Sequence, residues 1–400
     1  MKILGIETSC DETSCAVVED GRKVLSNVIF SQIDLHAKTG GVVPEVAARE
    51  HILKIIPVLD EALKKAGVSF EDIDAIAVTK GPGLISSLII GTETASAISY
   101  LKKKPLIPVH HIIGHIYANF LDSEKPNPEK TIDLRQAGLQ KTGSQEGDQD
   151  VKAKDLEAKV CFPILVLTVS GGHNELILMK GFDDFTILGE TRDDAAGEAF
   201  DKVARILGLG YPGGPYVSRA AEKGNREAFK FPRSYLEEGS LDFSFSGLKT
   251  AVLAEVKEYI KREYPSLGAS DYATVSGKIP EQMKFDLSAS FQEAAVDVLT
   301  DKAIQAFLNL QENGIEVKEI HLAGGVSANM RLREVLTHKI NSLIKGKRIE
   351  KVDLRYPKSL AYCTDNAAMI AAAGYFLFKK DPQKFKPCSN IIPTTNFELF

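Results

Sequence analysis

The chain has 400 residues, of which 44% are hydrophobic and 26% are charged. These values are ordinary for a globular protein, and they exclude a chain that is mainly disordered, collagen-like or coiled-coil. The formal net charge of −5 gives no global signature of nucleic-acid binding, but it does not exclude a local basic patch. At roughly 100–200 residues per domain, the length predicts two or three domains, or two lobes of one fold.

The cysteines and the N-terminus bear on where the protein works. The number of cysteines is odd and none form a CxxC pair, which favours reduced thiols over a disulfide framework or a cysteine zinc site. The N-terminal stretch turns polar too soon for a signal-peptide core. No apolar run approaches the ~18–20 residues that span a membrane. We therefore expect a cytoplasmic protein with no membrane contact. The cysteines are Cys10, Cys15, Cys161, Cys363 and Cys388.

Two segments about 160 residues apart follow the same pattern of strand, polar turn and strand. The first runs from Lys2–Glu7 to residues 16–19, and the second runs from residues 162–169 to residues 175–179. Each is followed by a third extended stretch. This repetition predicts two similar lobes.

Helical and extended patterns alternate along the rest of the chain, which predicts an α/β fold. Amphipathic helices are expected at residues 50–66 and at residues 283–310, with Gly314 ending the second. The other expected elements are strands at 73–79, 106–109 and 319–323 and helices at 84–100, 111–120 and 366–378.

One segment breaks this alternation. Residues 122–159 contain no aromatic residue and many charged ones, so they bury too little apolar surface to fold alone. We expect a polar insertion or mobile loop at 122–160, and a solvated linker is favoured over a functional role. The first lobe is then expected at 1–121, completed by about 362–400, and the second at 161–361.

Two histidines four residues apart, His111 and His115, are expected one above the other on a helix face. This spacing lets two imidazole nitrogens reach one metal ion. The protease motif HExxH places a glutamate general base after the first histidine, but this chain has Ile112 there. A zinc protease would therefore lack its base. The spacing leaves open both a metal site and histidines that are merely hydrogen-bonded.

A metal held by two histidines needs a further ligand, usually a carboxylate. Asp365 is the candidate, and it directly precedes the alanine-rich helix expected at 366–378. Aspartate is also a favourable N-cap for such a helix. Spacing alone favours the cap over the ligand.

Glycine-rich turns occur at residues 170–173, 211–215 and 324–329. Glycine lets backbone N–H groups approach phosphate oxygens closely. One such turn is weak evidence, since glycine mostly makes turns, but three suggest a nucleotide held between lobes. The sequence has no GxxxxGK[ST] and no complete GxGxxG after a strand, which argues against a P-loop enzyme and against a Rossmann fold.

Acidic side chains cluster at two places. Glu198 and Asp201 are three residues apart on an expected helix, where a carboxylate could accept hydrogen bonds from ribose hydroxyls. The alternative is a solvated helix start whose acidic residues are favoured by the helix dipole. Asp11 and Glu12, in the polar turn after the first strand, could handle a proton or a metal-bound group, or they could be ordinary turn residues.

In their order along the chain, these motifs resemble the family of tRNA N6-adenosine threonylcarbamoyltransferases, formerly called O-sialoglycoprotein endopeptidases. The resemblance extends from the N-terminus to about Gly374. The stretches that carry it are GIETSCDET at 5–13, GVVPE at 41–45, GPGL at 81–84, His111 with His115, SGGH at 170–173, GEAFDK at 197–202, YPGGP at 211–215, FSFSGLKT at 243–250, GGVSAN at 324–329 and TDN at 364–366.

The resemblance implies an actin-like two-lobed fold of the kind found in sugar kinases and Hsp70-type ATPases. It implies one divalent metal ion, usually Fe(2+) with Zn(2+) as the alternative, held by His111, His115 and Asp365. Asp11 and Glu12 would lie near the reacting end of the substrate. The nucleotide part would contact Thr168, Val169, Ser170, Gly171, Gly172, Asp201, Gly214, Ser218 and Asn329.

The resemblance also implies the reaction. A threonylcarbamoyl group moves from threonylcarbamoyl-AMP to N6 of adenosine 37 in tRNAs that read codons starting with adenine, and AMP leaves. ATP is an alternative nucleotide at the same turns. The implied partners are tRNA, a TsaB-type paralogue, a TsaE-type ATPase and the TsaC-type synthase that makes the adenylate. We add the hypothesis that Glu12 or Asp11 takes the N6 proton.

The sequence departs from the family in two regions near the expected site. The family usually has NHMEGH where this chain has HHIIGH at 110–115, so an asparagine and a glutamate beside the ligands are missing. Bacterial members commonly carry aspartate where Ser218 stands, which puts one ribose contact in doubt. The insertion at 122–160 is not a known family feature.

Three other functions stay open. An actin-like kinase or ATPase would explain the glycine turns but not the His111, His115 and Asp365 set. A non-catalytic binding paralogue would be expected to have lost that set. A metalloprotease would lack its base. A basic stretch in the C-terminal region could contact tRNA phosphates or form a solvated face. It comprises Lys379, Lys380, Lys384 and Lys386.

Overall fold

The computed structural model describes residues 1–122, 160–237, 239–265, 276–387 and 391–396. The expected insertion lies outside these residues except for its two end positions, and Cys388 lies outside them as well. Within the described ranges, the other four cysteines carry free thiols. No helix in these ranges combines the length and the apolar character needed to cross a membrane.

The first sheet begins with an antiparallel meander and continues with two parallel strands. Its strand order is β3-β2-β1-β4-β5, with antiparallel pairing from β1 to β3 and parallel pairing of β4 with β1 and β5. The strands are β1 (Lys2–Glu7), β2 (Glu12–Glu19), β3 (Lys23–Ser31), β4 (Ala75–Gly81) and β5 (Leu106–His110).

The second sheet repeats this arrangement. Its strand order is β10-β9-β6-β7-β8, and the pairing directions match those of the first sheet when this order is read from β8 to β10. The strands are β6 (Ile164–Val169), β7 (Asn174–Gly181), β8 (Asp184–Glu190), β9 (Glu319–Ala323) and β10 (Asp353–Arg355). This repetition confirms the expected α/β class with duplicated mixed sheets and flanking helices, as in an actin-like fold. The domain boundaries stay a prediction.

Helices cover both sheets and also lie between them. The helices are α1 (Ile33–His36), α2 (Pro44–Ala66), α3 (Ile85–Lys102), α4 (His111–Tyr117), α5 (Ala196–Leu207), α6 (Gly213–Ala221), α7 (Ser246–Glu263), α8 (Glu281–Glu312), α9 (Met330–Lys345) and α10 (Ala367–Lys380). Helices α2 and α3 pack on the outer face of the first sheet, and α5 to α9 pack on the outer face of the second. Helices α4 and α10 form the layer between the sheets.

The middle layer is packed closely because glycines stand at its contacts. A Cβ atom on Gly5 of β1 would lie 2.2 Å from the Ala367 carbonyl oxygen, and one on Gly374 would lie 2.5 Å from Ala77 Cβ. A Cβ atom on Gly114 of α4 would lie 2.7 Å from Ile370 Cδ1. The helix α10 therefore approaches both the first sheet and α4 more closely than larger residues would allow.

The structure differs from the sequence-based predictions at several element ends. Helix α2 begins at Pro44 rather than at residue 50, because proline is favoured in the first helical turn. Glu12 belongs to β2, where it pairs with Ser31, rather than to the polar turn. Ile52 and Ile56, two of the apolar residues whose spacing predicted helix α2, are exposed by 61% and 59% rather than buried.

We expect Gly5→Ala to destabilise the fold by ~1–3 kcal/mol or more, because the new methyl group would collide with a backbone carbonyl that no rotamer change can move. Gly247→Ala at the start of α7 is the matched control, since its nearest neighbour, Ser234 Oγ, is 3.8 Å away. This control should shift stability by less than ~1 kcal/mol. Urea unfolding compares them, and equal losses in both variants would contradict the packing argument.

Candidate metal and nucleotide site

His111 and His115 stand one turn apart on α4, and Asp365 lies just before α10. One ligand atom from each of the three lies within 4.8 Å of the other two. Asp365 Oδ1 is 3.5 Å from His111 Nε2 and 3.2 Å from His115 Nε2. The structure thus brings together the three residues that the resemblance implies as metal ligands.

Asp365 is not the N-cap of α10, contrary to what spacing alone favoured. Asn366 takes that place, and its side-chain oxygen accepts a hydrogen bond from Met369 N at 3.1 Å. Because Asn366 satisfies the first turn of the helix, the Asp365 carboxylate is left to face the two histidines.

The ring of His115 provides a test of whether these residues fit a metal ion. The residue is 1% exposed, and within the described part of the chain neither ring nitrogen makes a hydrogen bond, although Nε2 lies close to Asp365. A buried polar atom without a partner is costly. Two imidazoles and one carboxylate also form a donor set that first-row divalent ions accept. The three residues therefore fit a divalent metal ion.

Neighbouring charged side chains in the site shift one another's pKa. Burial alone would lower the pKa of His111, but the negative charges of Asp365 and Glu7 raise that pKa well above its ordinary value. Burial would raise the pKa of Asp365, but His111 and His115 lower it more strongly. From the second lobe, His173 is held neutral at pH 7, since burial and then the nearby His111 and His115 lower its pKa to about 4.

The two candidate acid–base residues, Asp11 and Glu12, lie where β1 gives way to β2. Asp11 is buried, and Glu12 accepts a hydrogen bond from Ser31 Oγ at 3.1 Å. Burial, and then the charges of Asp11 and Asp365, raise the pKa of Glu12 well above its ordinary value. Glu12 therefore holds a proton more tightly than an exposed glutamate does. Part of this effect comes from the negative charge of Asp365.

The loop after β6, which holds Ser170, Gly171 and Gly172, is fixed at both ends. Ser170 N donates to His173 O at 2.8 Å, and Ser170 O accepts from Gly197 N at 3.2 Å at the start of α5. Among the described residues, no atom lies within 4 Å of a Cβ added to Gly171 or Gly172, so their faces are open. The strand residues Thr168 and Val169 lead into this loop. The backbone here therefore leaves room for a ligand to approach closely.

Two further groups of expected nucleotide contacts lie in the second lobe. Asp201 on α5 accepts a hydrogen bond from Gly213 N at 2.6 Å, at the start of α6, next to Gly214. Ser218 on α6 accepts a hydrogen bond from Asn329 Nδ2 at 3.0 Å. Asp201 thus lies close to Gly214. Likewise, Ser218 lies next to Asn329.

Both donor hydrogens of the Asn329 side-chain amide are used within the protein. Its Oδ1 accepts from Leu332 N at 3.1 Å, and its Nδ2 donates to Ser218 Oγ and, at 2.8 Å, to Gln292 Oε1. An amide nitrogen has only two hydrogens to donate. In this arrangement the Asn329 side chain can offer a ligand an acceptor but not a donor.

Sequence reasoning missed four residues of this region. His173 and Tyr211 lie in turns that were selected only for their glycines. Burial, and then the charges of Asp11 and Asp201, raise the pKa of Tyr211. Gln292 lies inside the long α8, where no local signal marks it, and Glu7 ends an otherwise apolar strand.

The family model and the curated relatives that match this chain agree on one family. The family model TsaD, described as tRNA N6-adenosine threonylcarbamoyltransferase, matches residues 23–139 and 150–372. The curated tRNA N6-adenosine threonylcarbamoyltransferase of Thermomicrobium roseum is 46% identical over 95% of this chain and 93% of its own length. The one of Bacillus subtilis is 45% identical over 95% and 91%. Component A of the Acidaminococcus fermentans (R)-2-hydroxyglutaryl-CoA dehydratase, a solved structure, is 15% identical over 94% of this chain and 98% of its own, with a TM-score of 0.45, which carries no functional argument.

Glu175 lies beside Thr168 across β6 and β7, and burial and then the charge of Glu190 raise its pKa from 4.5 to about 7. Between these pH values the native state keeps a proton that the unfolded state has lost, so stability falls as pH rises through this window. We expect Glu175→Gln to remove this fall, which is worth about 3 kcal/mol by pH 8. Urea unfolding at pH 4.5 and pH 8 measures it.

The control for this experiment is Glu258→Gln on the exposed side of α7, which should leave the pH dependence as in the wild type. A Glu175→Gln protein whose stability falls with pH as steeply as that of the wild type would show that the Glu175 carboxyl is not the cause.

Proposed function

The chain belongs to the family of tRNA N6-adenosine threonylcarbamoyltransferases, and we propose from this membership that it modifies adenosine 37 of tRNAs that read codons starting with adenine. It would transfer a threonylcarbamoyl group from threonylcarbamoyl-AMP to N6 of that adenosine and release AMP. The observation that carries this proposal is the His111, His115 and Asp365 cluster, which lies in the helical layer between the two sheets.

We propose Fe(2+) as the metal that this cluster holds, with Zn(2+) as the alternative. When bound, a divalent ion there would polarise the donor carbonyl as a Lewis acid. The open backbone at Gly171 and Gly172 would receive the adenylate phosphate. Ser218 and Gln292 would offer hydrogen bonds to its sugar or base. Placement matters greatly here because the exocyclic amine of adenine is a weak nucleophile.

Of the two carboxylates named as the base, we propose Glu12. Burial, and then the charges of Asp11 and Asp365, raise the pKa of Glu12 above that of an exposed glutamate, which makes its ionised form a stronger base. The Ser31 hydroxyl fixes one carboxylate oxygen of Glu12. Glu12 would therefore accept the N6 proton as the new carbon–nitrogen bond forms.

The direct test supplies the purified protein with threonylcarbamoyl-AMP, unmodified tRNA and the candidate partners, and it analyses the nucleosides of the tRNA. We expect threonylcarbamoyladenosine in a tRNA with adenosine at position 37 and none in the same tRNA with guanosine there. Asp365→Asn should lose the product. Absence of the modified nucleoside with every partner combination would contradict the proposal.

We expect Glu12→Gln to lower the turnover number ~10²–10⁴-fold, the usual range for removing a general base. Glu12→Asp is the conservative control, which keeps the carboxylate at a shorter reach and should retain more activity than Glu12→Gln. Metal content is measured alongside. A Glu12→Gln enzyme with wild-type turnover and wild-type metal content would show that another group takes the proton.

A surface of exposed apolar side chains supports the proposed protein partner. On α2, Ile52, Leu53 and Ile56 are exposed by 61%, 64% and 59%, and on the adjoining α3 Ile85 and Ile89 are exposed by 43% and 45%. Large apolar surface groups that lie together mark interaction sites in soluble proteins. We propose this α2–α3 surface as the docking site of the TsaB-type paralogue.

We expect Ile56→Glu to abolish binding to the TsaB-type paralogue, because a charge would be buried in an apolar interface. Leu101→Glu at the end of α3, exposed by 74%, is the matched control and should bind normally. Analytical ultracentrifugation of the mixed proteins measures binding. Paralogue binding by Ile56→Glu would show that the paralogue docks elsewhere. Self-association of this chain that Ile56→Glu abolishes would show that the surface binds a second copy of the chain instead.

Other parts of the proposal rest on the family alone. These are the binding of tRNA, the TsaE-type ATPase, the upstream TsaC-type synthase, ATP as an alternative nucleotide, the cytoplasmic location and the lobe boundaries given above. The basic C-terminal stretch gives tRNA binding limited support, because Lys380 pairs with Asp183 and Lys379 lies over the Tyr375 ring.

A further inference from the structure

Glu7 at the end of β1 is a buried charge to which none of the preceding steps gives a role. Its side chain is fully buried, and it reaches the metal cluster through His111. Glu7 Oε2 is 3.2 Å from His111 Nδ1, and it also accepts a hydrogen bond from Thr79 Oγ1 at 2.5 Å. Glu7 Oε1 accepts one from Ser9 N at 2.5 Å. The carboxylate is therefore held on both oxygens.

These contacts define which nitrogen of His111 is free. An ionised carboxylate only accepts hydrogen bonds, so the contact requires a hydrogen on Nδ1. In the neutral ring, which is the form that binds a metal ion, the lone pair is then on the other nitrogen, Nε2, and this is the nitrogen on the Asp365 side. Carboxylates that bind the far nitrogen of a metal-ligating histidine fix its tautomer and its ring orientation.

The neighbouring ligand lacks such a partner. Within the described part of the chain, His115 Nδ1 has no hydrogen bond, whereas His111 Nδ1 lies 3.2 Å from Glu7 and 3.2 Å from Ser9 Oγ. The two histidines are therefore not equivalent. The far nitrogen of His111 is held before any ion arrives, whereas the far nitrogen of His115 is not.

We propose that Glu7 is the positioning residue of the metal centre, and that it holds His111 with Nε2 ready to bind a divalent ion. This inference rests on the proposed metal site but not on the proposed reaction. Glutamine cannot replace Glu7 in this role, because three donors converge on its two oxygens and an amide would turn an NH₂ group toward at least one of them.

The test measures Zn(2+) affinity of the metal-free protein by competition with a chelator, for the wild type and for Glu7→Gln. We expect Glu7→Gln to bind Zn(2+) ~10–100-fold more weakly, as is usual when such a carboxylate is lost. Thr79→Val, which removes one of the hydrogen bonds to Glu7, is a milder variant. It tests the same inference if Glu7→Gln does not fold. It should lower the affinity by a smaller factor.

Glu319→Gln is the matched control. Glu319 is also a buried carboxylate paired with a histidine, 2.9 Å from His321 Nε2, but it belongs to β9 and not to the metal cluster. Both glutamine variants should lower the melting temperature of the metal-free protein. Only Glu7→Gln should also shrink the rise in melting temperature that Zn(2+) produces, which a purely structural role would leave unchanged.

Wild-type Zn(2+) affinity in both Glu7→Gln and Thr79→Val would overturn the inference, as would an equal loss of affinity in Glu319→Gln. Failure of the proposed reaction is a separate result, because it would appear as absent transferase activity in a wild-type protein that binds Zn(2+) normally.

Discussion

The close approach of α10 to its neighbours is the constraint on which the candidate site depends. Asp365 precedes this helix, whereas His111 and His115 stand on α4, about 250 residues earlier in the chain. The two helices meet because Gly114 leaves room for the α10 side chains, and Gly5 lets α10 lie against the first sheet. A larger residue at either contact would move Asp365 relative to the histidines. Packing and chemistry are therefore set by the same small residues.

Burying charges in this layer has a cost that the arrangement offsets locally. Two carboxylates, Glu7 and Asp365, flank His111 on opposite sides, and each gains from a charge or a donor that faces it. His115 gains the least, since within the described residues its nitrogens lack hydrogen bonds. A bound divalent ion would satisfy His115 and balance the negative charge around it. The proposed metal ion would thus account for the buried histidine nitrogens that lack a hydrogen bond.

Periodicity and turn residues predicted most of the framework, because strands such as Lys2–Glu7 and Glu319–Ala323 are set by local apolar runs. The pairing of two similar sheets also followed from the repeated pattern. Local signals failed where tertiary contacts decide. They favoured Asp365 as a helix cap until the structure placed Asn366 there, and they gave no reason to select Glu7. The family resemblance, not spacing, favoured Asp365 as the third metal ligand.

The central claim is that one divalent ion is held between the lobes by His111, His115 and Asp365. Anomalous X-ray diffraction on crystals of the metal-loaded protein, recorded on both sides of the metal absorption edge, tests it most directly. The account predicts one strong peak within ~2.0–2.2 Å of His111 Nε2, of a His115 ring nitrogen and of an Asp365 carboxylate oxygen. A fully loaded protein whose peak lies away from these three residues would contradict it.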